Sequence, residues 1–374
     1  MKKKIFSMFI LISALVSLIS CGTYIEEKSF NAMGTVITVQ LYEKSKGAFE
    51  GVKDIFSLYS QLTSSHRRNE VDENSPYYNL NNIYVINENR KVGPIEVREE
   101  LIELLELSIG LNEETNGYFN IGLGEVTAVW KTLAHNYLVV PKEAYVAALD
   151  SLSTYTTPDL NKVIINKENN TVYLDDDKML LDLGAIAKGY ATQLAYDYLK
   201  EEKGIKRFKI NAGSSSIAIG LPPKGKSIKT YIKDDNSIGE KYLYKDGMLG
   251  YIVGGNKHIA TSGSAQQSVN VYDDEGYYTK IHHLVSPFTL EPVNTFYKVT
   301  LVGDDSILLD VYTTAVFLMT DEDAISFLEE HDIGYILYLF DYSIVTNLSE
   351  EDFVQYEIVG EIKWQKKSPK FWET

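Results

Sequence analysis

Leu180-Leu181-Asp182-Leu183-Gly184-Ala185-Ile186-Ala187-Lys188-Gly189-Tyr190-Ala191 is the stretch from which the rest of the chain is read. Two leucines carry an apolar strand up to a carboxylate, Gly184 and Ala185 allow close backbone approach, and an amphipathic segment then runs to about Lys200. A strand that switches to a helix in this way aims free amides and the positive helix end at an anion. Lys188 adds a mobile positive charge in the first turn. Taken alone, the stretch equally fits a buried β-α corner with an ordinary surface lysine.

The first 20 residues have a separate logic: Lys2, Lys3 and Lys4, an apolar run from Ile5 to Ile19, then Leu18-Ile19-Ser20-Cys21. This is a signal-peptide pattern, too short for the roughly 20 residues of a membrane span. Its end resembles a bacterial lipobox, which makes Cys21, the only cysteine, the expected lipidation site. Residues 21–29 read as a polar tether and 30–374 as one domain. Without the leader's three lysines the net charge moves from −16 to −19, so nucleic acid is an unfavourable partner. A content of 44% hydrophobic residues is ample for a large core.

Along the domain, Thr35 to Tyr42 alternates like a strand, and Lys44 to Ser64 has helical spacing through Val52, Ile55, Phe56, Tyr59 and Leu62. Ser65 to Arg90 reads as a long loop. A helix is expected to start at Pro94 and end at Asn116-Gly117, another to span Pro141 to Leu152, and a hairpin to join Val163 to Leu174 through Asn169-Asn170. Gly220 to Ser227 matches the Walker A pattern formally, but a strand-like run follows where a P-loop needs a helix, so a hairpin turn is expected. Asp273 to Gly276 should turn a hairpin that delivers His282 and His283. Tyr297 to Val302 reads as a strand and Asp304 to Met319 as a helix. Thr320 is expected to cap a further helix, with strands at Tyr335 to Leu339 and Ser343 to Val345. Hairpins mixed with helices favour a mixed α+β fold with largely antiparallel sheets over a doubly wound parallel one. Trp364 and Trp372 stand in a tail with no assigned role.

Asp182, Asp310 and Thr314 are hard oxygen donors with no cysteine or histidine cluster beside them, which suits Mg²⁺ better than zinc. Asp310 and Thr314, four apart, share a face if helical. On the residues alone, a helix-start acid and an ordinary helix threonine are the favoured reading. His283 alone likewise reads as a structural histidine.

The central stretch resembles the Asp-Leu-Gly-x-Ile-Ala-Lys-Gly-Tyr-Ala signature of the ApbE family of FAD:protein FMN transferases. Ala32-Met33-Gly34-Thr35, Thr261-Ser262-Gly263 and Asp310-Val311-Tyr312-Thr313-Thr314 follow the family's order, and His283-Leu284-Val285-Ser286-Pro287 stands where it has His-x-Ile-Asp-Pro. Gly117-Tyr118-Phe119-Asn120-Ile121 stands at Gly-x-Phe-Asp-x-Thr, with Asn120 for the acid and Gly122 for the threonine. Ser214, Ser286, Phe288 and Leu290 are further departures, standing for a Gly, an Asp, a basic residue and a Gly. The resemblance implies an ApbE-like, T-fold-related architecture. It also implies FAD contacts from Met33, Tyr118, Phe119, Asn120, Asp182, Lys188, Ser262, Gly263 and Val285, and Mg²⁺ held by Asp310, Thr314 and the Ala185 carbonyl. By the same resemblance His283 serves as base and Lys188 as catalytic cation.

The implied reaction moves FMN from FAD to a threonine or serine of an extracytoplasmic acceptor protein and releases AMP, at the outer face of the cell membrane. An FAD pyrophosphatase that uses water, and a flavin-binding lipoprotein without turnover, are the alternatives. Acceptors in such systems carry an Asp-x-x-Ser/Thr-Gly-Ala-Ser/Thr type of motif. Thr261-Ser262-Gly263-Ser264-Ala265 lacks its acid and its alanine, so this chain is expected to donate flavin rather than carry it.

Overall fold

The computed structural model describes residues 25–66, 76–234, 243–265, 268–272 and 278–360. The leader, Cys21, the turn at Asp273 to Gly276 and the tail with Trp364 and Trp372 lie outside the described residues.

In chain order the strands are β1 Glu26–Ala32, β2 Thr35–Leu41, β3 Ile95–Glu96, β4 Val139–Val140, β5 Val163–Asn166, β6 Thr171–Leu174, β7 Phe208–Ala212, β8 Ser216–Ile219 and β9 Lys229–Lys233. They continue as β10 Met248–Val253, β11 Lys257–Gly263, β12 Val269–Tyr272, β13 Tyr278–Ile281, β14 Phe296–Gly303, β15 Gly334–Leu339, β16 Ile344–Thr346 and β17 Phe353–Gln355. The helices are α1 Ala48–Leu62, α2 Ile83–Glu88, α3 Glu99–Glu114, α4 Gly124–Asn136, α5 Lys142–Leu152, α6 Ala187–Asp197, α7 Ser306–Phe317 and α8 Asp321–Glu330.

An eight-stranded sheet, ordered β1-β2-β7-β8-β11-β14-β15-β16, is antiparallel at every pairing. Smaller sheets are β17-β10-β9, β13-β12-β4 and β3-β6-β5, with β4 and β12 parallel. The expected α+β class with largely antiparallel sheets is the one observed.

Strand alternation gives the large sheet two apolar faces. On one, Val39, Ile210, Ala218, Ala260 and Leu301 pack under α1, α6 and α7 in the main core. On the other, Ile217, Ile219, Ile259 and Ile336 meet Ile232, Leu249 and Ile252 of the β17-β10-β9 sheet. A third core gathers Trp130 of α4, Tyr145 of α5, and Val271 and Ile281 of β12 and β13.

Four expectations change. Residues 26–29 are not tether but half of β1, paired with β2 at an edge whose outward side chains are exposed, so charged residues cost nothing there. Pro94 does not open a helix: Ile95 and Glu96 pair with Val172 and Thr171, and α3 begins at Glu99. The Ser65 to Arg90 loop holds α2, capped by Asn82, whose side chain accepts from the Val85 amide. Gly220 to Ser227 is no hairpin turn. It carries the chain from β8 to β9, which lie in different sheets, and no helix follows it.

Candidate active site

The central stretch folds as a short turn between an apolar extended segment and α6. Leu181 and Leu183 are fully buried and hold that segment in the core, which leaves Asp182 between them facing outward. Asp182 Oδ1 accepts the Gly184 amide at 2.8 Å, and Oδ2 lies 3.0 Å from Lys131 Nζ on α4. Burial pushes the Asp182 carboxyl up, but Lys131 and the Gly184 amide outweigh it and hold the group below its ordinary value. Lys188 Nζ lies 3.4 Å from the Gly184 carbonyl, folded back over the turn.

The start of α6 does meet an anion, and that anion belongs to the protein. The Gly189 amide donates to Asp310 Oδ2 of α7 at 2.7 Å. The helices touch so closely that a Cβ on Gly189 would stand 2.4 Å from the Ser306 carbonyl oxygen. Asp310 is 6% exposed. Burial pushes its carboxyl up to about 6, with Lys188 and the Gly189 amide working against the rise. Its Oδ1 takes no hydrogen bond from the described residues. Thr314, one turn on, points its hydroxyl back at the Asp310 carbonyl, 3.5 Å away.

Beyond β13, His282 and His283 part as alternation requires. His282 is fully buried against Phe317, its Nδ1 accepting the Leu284 amide. His283 lines the cleft, and its pKa is pushed down to about 4 by burial and then by Lys131 and Lys188, with Asp182 opposing. It is therefore neutral at pH 7, and its buried Nδ1 has no partner among the described residues.

The cleft has a volume of about 890 Å³ and is walled by all three cores, as Leu284, Ile217 and Leu123 show. Each expected site residue of the domain lines it: Met33, Tyr118, Phe119, Asn120, Asp182, Ala185, Lys188, Ser262, Gly263, His283, Val285, Asp310 and Thr314. Wall residues given no role from the sequence include Lys131, Lys209, Asn211, Lys229, Thr230 and Lys298. Lys131 sits on a helix that was not anticipated. Lys209 and Asn211 alternate on β7.

The sequence model of the ApbE family matches residues 33–337. The chain belongs to the ApbE family. A protein of Klebsiella pneumoniae named FAD:protein FMN transferase is 24% identical over 290 residues, 76% of this chain and 79% of that one. The ApbE protein of Thermotoga maritima superposes with a TM-score of 0.66 at 21% identity, covering 86% of this chain and 97% of its own. Flavin transferase ApbE of Vibrio cholerae gives a TM-score of 0.65 at 19% identity over 88% and 98%.

Where this ApbE chain departs from its family's motifs, the structure supplies local reasons. Asn120 uses both ends of its amide, donating to the Pro158 carbonyl at 3.0 Å and accepting the Gly122 amide at 2.9 Å. An aspartate would lose the first bond. Ser286 Oγ accepts the Phe288 and Thr289 amides, a turn role a carboxylate could also fill. Leu290 takes the left-handed conformation, with φ of 60°, and its carbonyl is pinned by Trp130 Nε1 at 2.8 Å. Phe288 stands edge-on to Tyr118 at 5.0 Å, in place of a basic side chain. Met33 and Gly34, with φ of 51° and 70°, form the two-residue turn between β1 and β2 that presents Met33 to the cleft.

Proposed function

We propose that this ApbE chain is a flavin transferase that moves FMN from FAD to a threonine or serine hydroxyl of another protein, with release of AMP. The observation that carries the reading is the joint of Gly189 with Asp310, which brings the central signature and the late Asp-x-x-x-Thr motif to one corner with His283 and two lysines. The transferase name of the Klebsiella relative supports it. The cleft is of a size for a large ligand, and Tyr118 offers an aromatic ring in its wall.

The donor set at this corner fits Mg²⁺. Asp310 is buried, which raises its pKa, and one of its oxygens takes no hydrogen bond from the described residues. Among those residues no group of three or more His, Cys, Asp or Glu could cage a metal alone, as suits an ion that keeps waters and substrate phosphate oxygens. Asp310, Thr314 and the Ala185 carbonyl would hold it, and when bound it would neutralise charge gathering on the phosphates.

The chain's own groups do the rest. Lys188 and Lys131 hold the diphosphate by charge. His283, neutral at pH 7, takes the proton of the acceptor hydroxyl as its oxygen bonds to the FMN phosphorus. The bond between that phosphorus and the bridging oxygen breaks, and AMP leaves with the oxygen. Bound diphosphate faces the same lysines that depress His283, so substrate binding restores basicity to the imidazole.

The leader pattern supports processing at Cys21 and a lipid anchor at the outer face of the cell membrane. Among the described residues no helix is long and apolar enough to cross a membrane. The test incubates the full chain with FAD, Mg²⁺ and a peptide bearing the acceptor motif. An FMN mass adduct lost in Asp310→Ala and His283→Ala is expected. FMN and AMP released without an adduct would make the chain a pyrophosphatase, and intact FAD would leave only flavin binding.

A further inference from the structure

The cleft continues beyond the corner just described. In antiparallel pairing, residues directly opposite share a face of the sheet. Lys209 lies opposite Ile219, and Asn211 opposite Ile217, which in turn is opposite Ile259. These isoleucines belong to the core beneath the β17-β10-β9 sheet, so Lys209 rises on that face. Ser262 is on the other face, where its hydroxyl meets Thr313 of α7, as is Asp310. The cleft therefore wraps the end of the large sheet, with the metal corner on the helix side and a second lobe on the other.

Lys209 is the notable group of that second lobe. It is half-buried, lines the cleft, and its ammonium has one hydrogen bond, 3.1 Å to the neutral hydroxyl of Thr230 on β9. It makes no ion pair among the described residues. Even a half-buried ammonium without a counter-charge carries a desolvation cost, and in a chain of 52 acids to 36 bases its lack of an acid partner is a local property.

We propose that Lys209 and Thr230 form the subsite for a carboxylate side chain of the protein that receives the flavin. The inference rests on the transferase reading and names what that reading leaves open, how the second substrate is held. FAD carries its charge on the diphosphate alone, and that charge is claimed at the helix side by Lys188 and Lys131. An anion at Lys209 must then come from the other substrate. The electrostatics agree: Asp182 and His283 shift each other, Lys188 shifts His283 and Asp310, and the sole influence on Lys209 is burial, which lowers its pKa.

The test measures binding, so that it does not depend on turnover. The full chain with FAD, Mg²⁺ left out, is titrated with a fluorescent peptide of the pattern Asp-x-x-Thr-Gly-Ala-Thr and with its Asp→Asn counterpart. The wild-type chain should bind the aspartate peptide at least tenfold more tightly. Lys209→Met should bring that affinity down to that of the asparagine peptide and leave FAD affinity unchanged, while Lys209→Arg, which keeps the cation and checks folding, should retain most of the preference. Equal affinity of the wild-type chain for both peptides would overturn the subsite, as would a fall in FAD affinity in Lys209→Met that matches the loss of peptide. Discrimination between the peptides with no flavin transferred once Mg²⁺ is restored would support the subsite and overturn the transferase reading alone.

Discussion

Lys131 Nζ and Asp182 Oδ2 stand 3.0 Å apart, an ion pair across 51 residues of sequence that joins α4 to the mouth of the central turn. Both charges act on His283, Lys131 lowering its pKa and Asp182 raising it.

Lys131→Met removes a positive neighbour, which makes protonation of His283 easier. The imidazole should climb from about 4 toward its usual range, and the acidic limb of kcat/KM for FAD should move to higher pH. The pH profiles of the two proteins measure this. A limb that stays in place would remove Lys131 from the electrostatics of the base.

Three histidines, His258 and His282 in the core and His283 in the cleft wall, make stability depend on pH. Burial pushes His258 and His283 down to about 4 and His282 to about 3, whereas in the unfolded chain each binds its proton near 6.5. Between those values the unfolded state carries more protons, so stability falls as pH drops from 6.5 towards 4. Each histidine contributes up to about 1.4 kcal/mol per pH unit in that window. Asp310, pushed up to about 6, acts in the opposite sense between about 4 and 6 and offsets one of them. Urea midpoints at pH 7, 6 and 5 should decline, and flat midpoints would refute the argument.

Gly189→Ala places a methyl 2.4 Å from the Ser306 carbonyl oxygen and 2.5 Å from Asp310 Cβ. The α6 and α7 helices must separate, a strain of about 1–3 kcal/mol. Thermal denaturation should show a Tm several degrees lower, with transferase activity falling alongside as Asp310 shifts.

Asp310→Asn keeps the shape and an oxygen for the Gly189 amide while removing the charge. The variant should fold with stability equal to or above the wild type, since a buried carboxylate is lost, yet bind Mg²⁺ more weakly by on the order of a hundredfold. Calorimetric titration of both proteins with Mg²⁺ separates these effects. Unchanged affinity would show that the ion, if bound, sits elsewhere.

Elements with a clear period were legible in the sequence: β2, α1, α5, the β5-β6 hairpin and α7 fall where alternation or helical spacing put them. Asp310 and Thr314 reached the cleft on one face of α7, and the other motif residues lie at or near the ends of elements. What was not legible depends on distant partners. β1 has a polar sequence that only its pairing with β2 makes a strand. Ile95 and Glu96 were drawn out of a helix by β6. Lys131 becomes a site residue only through Asp182, and Lys209 only because β9 crosses above it.

The hydrogen bond from Gly189 to Asp310 closes a gap of 121 residues. A fragment ending before Ser306 would keep the signature turn without its acid, and the remainder would keep the acid without the turn. Neither half, nor any nascent or clipped chain lacking one of them, owns a working corner. A ligand that binds this joint is thus a ligand of the completed fold alone and stabilises it by mass action. The corner doubles as a checkpoint on folding: its occupancy would report that the chain has been made, and has remained, in one piece.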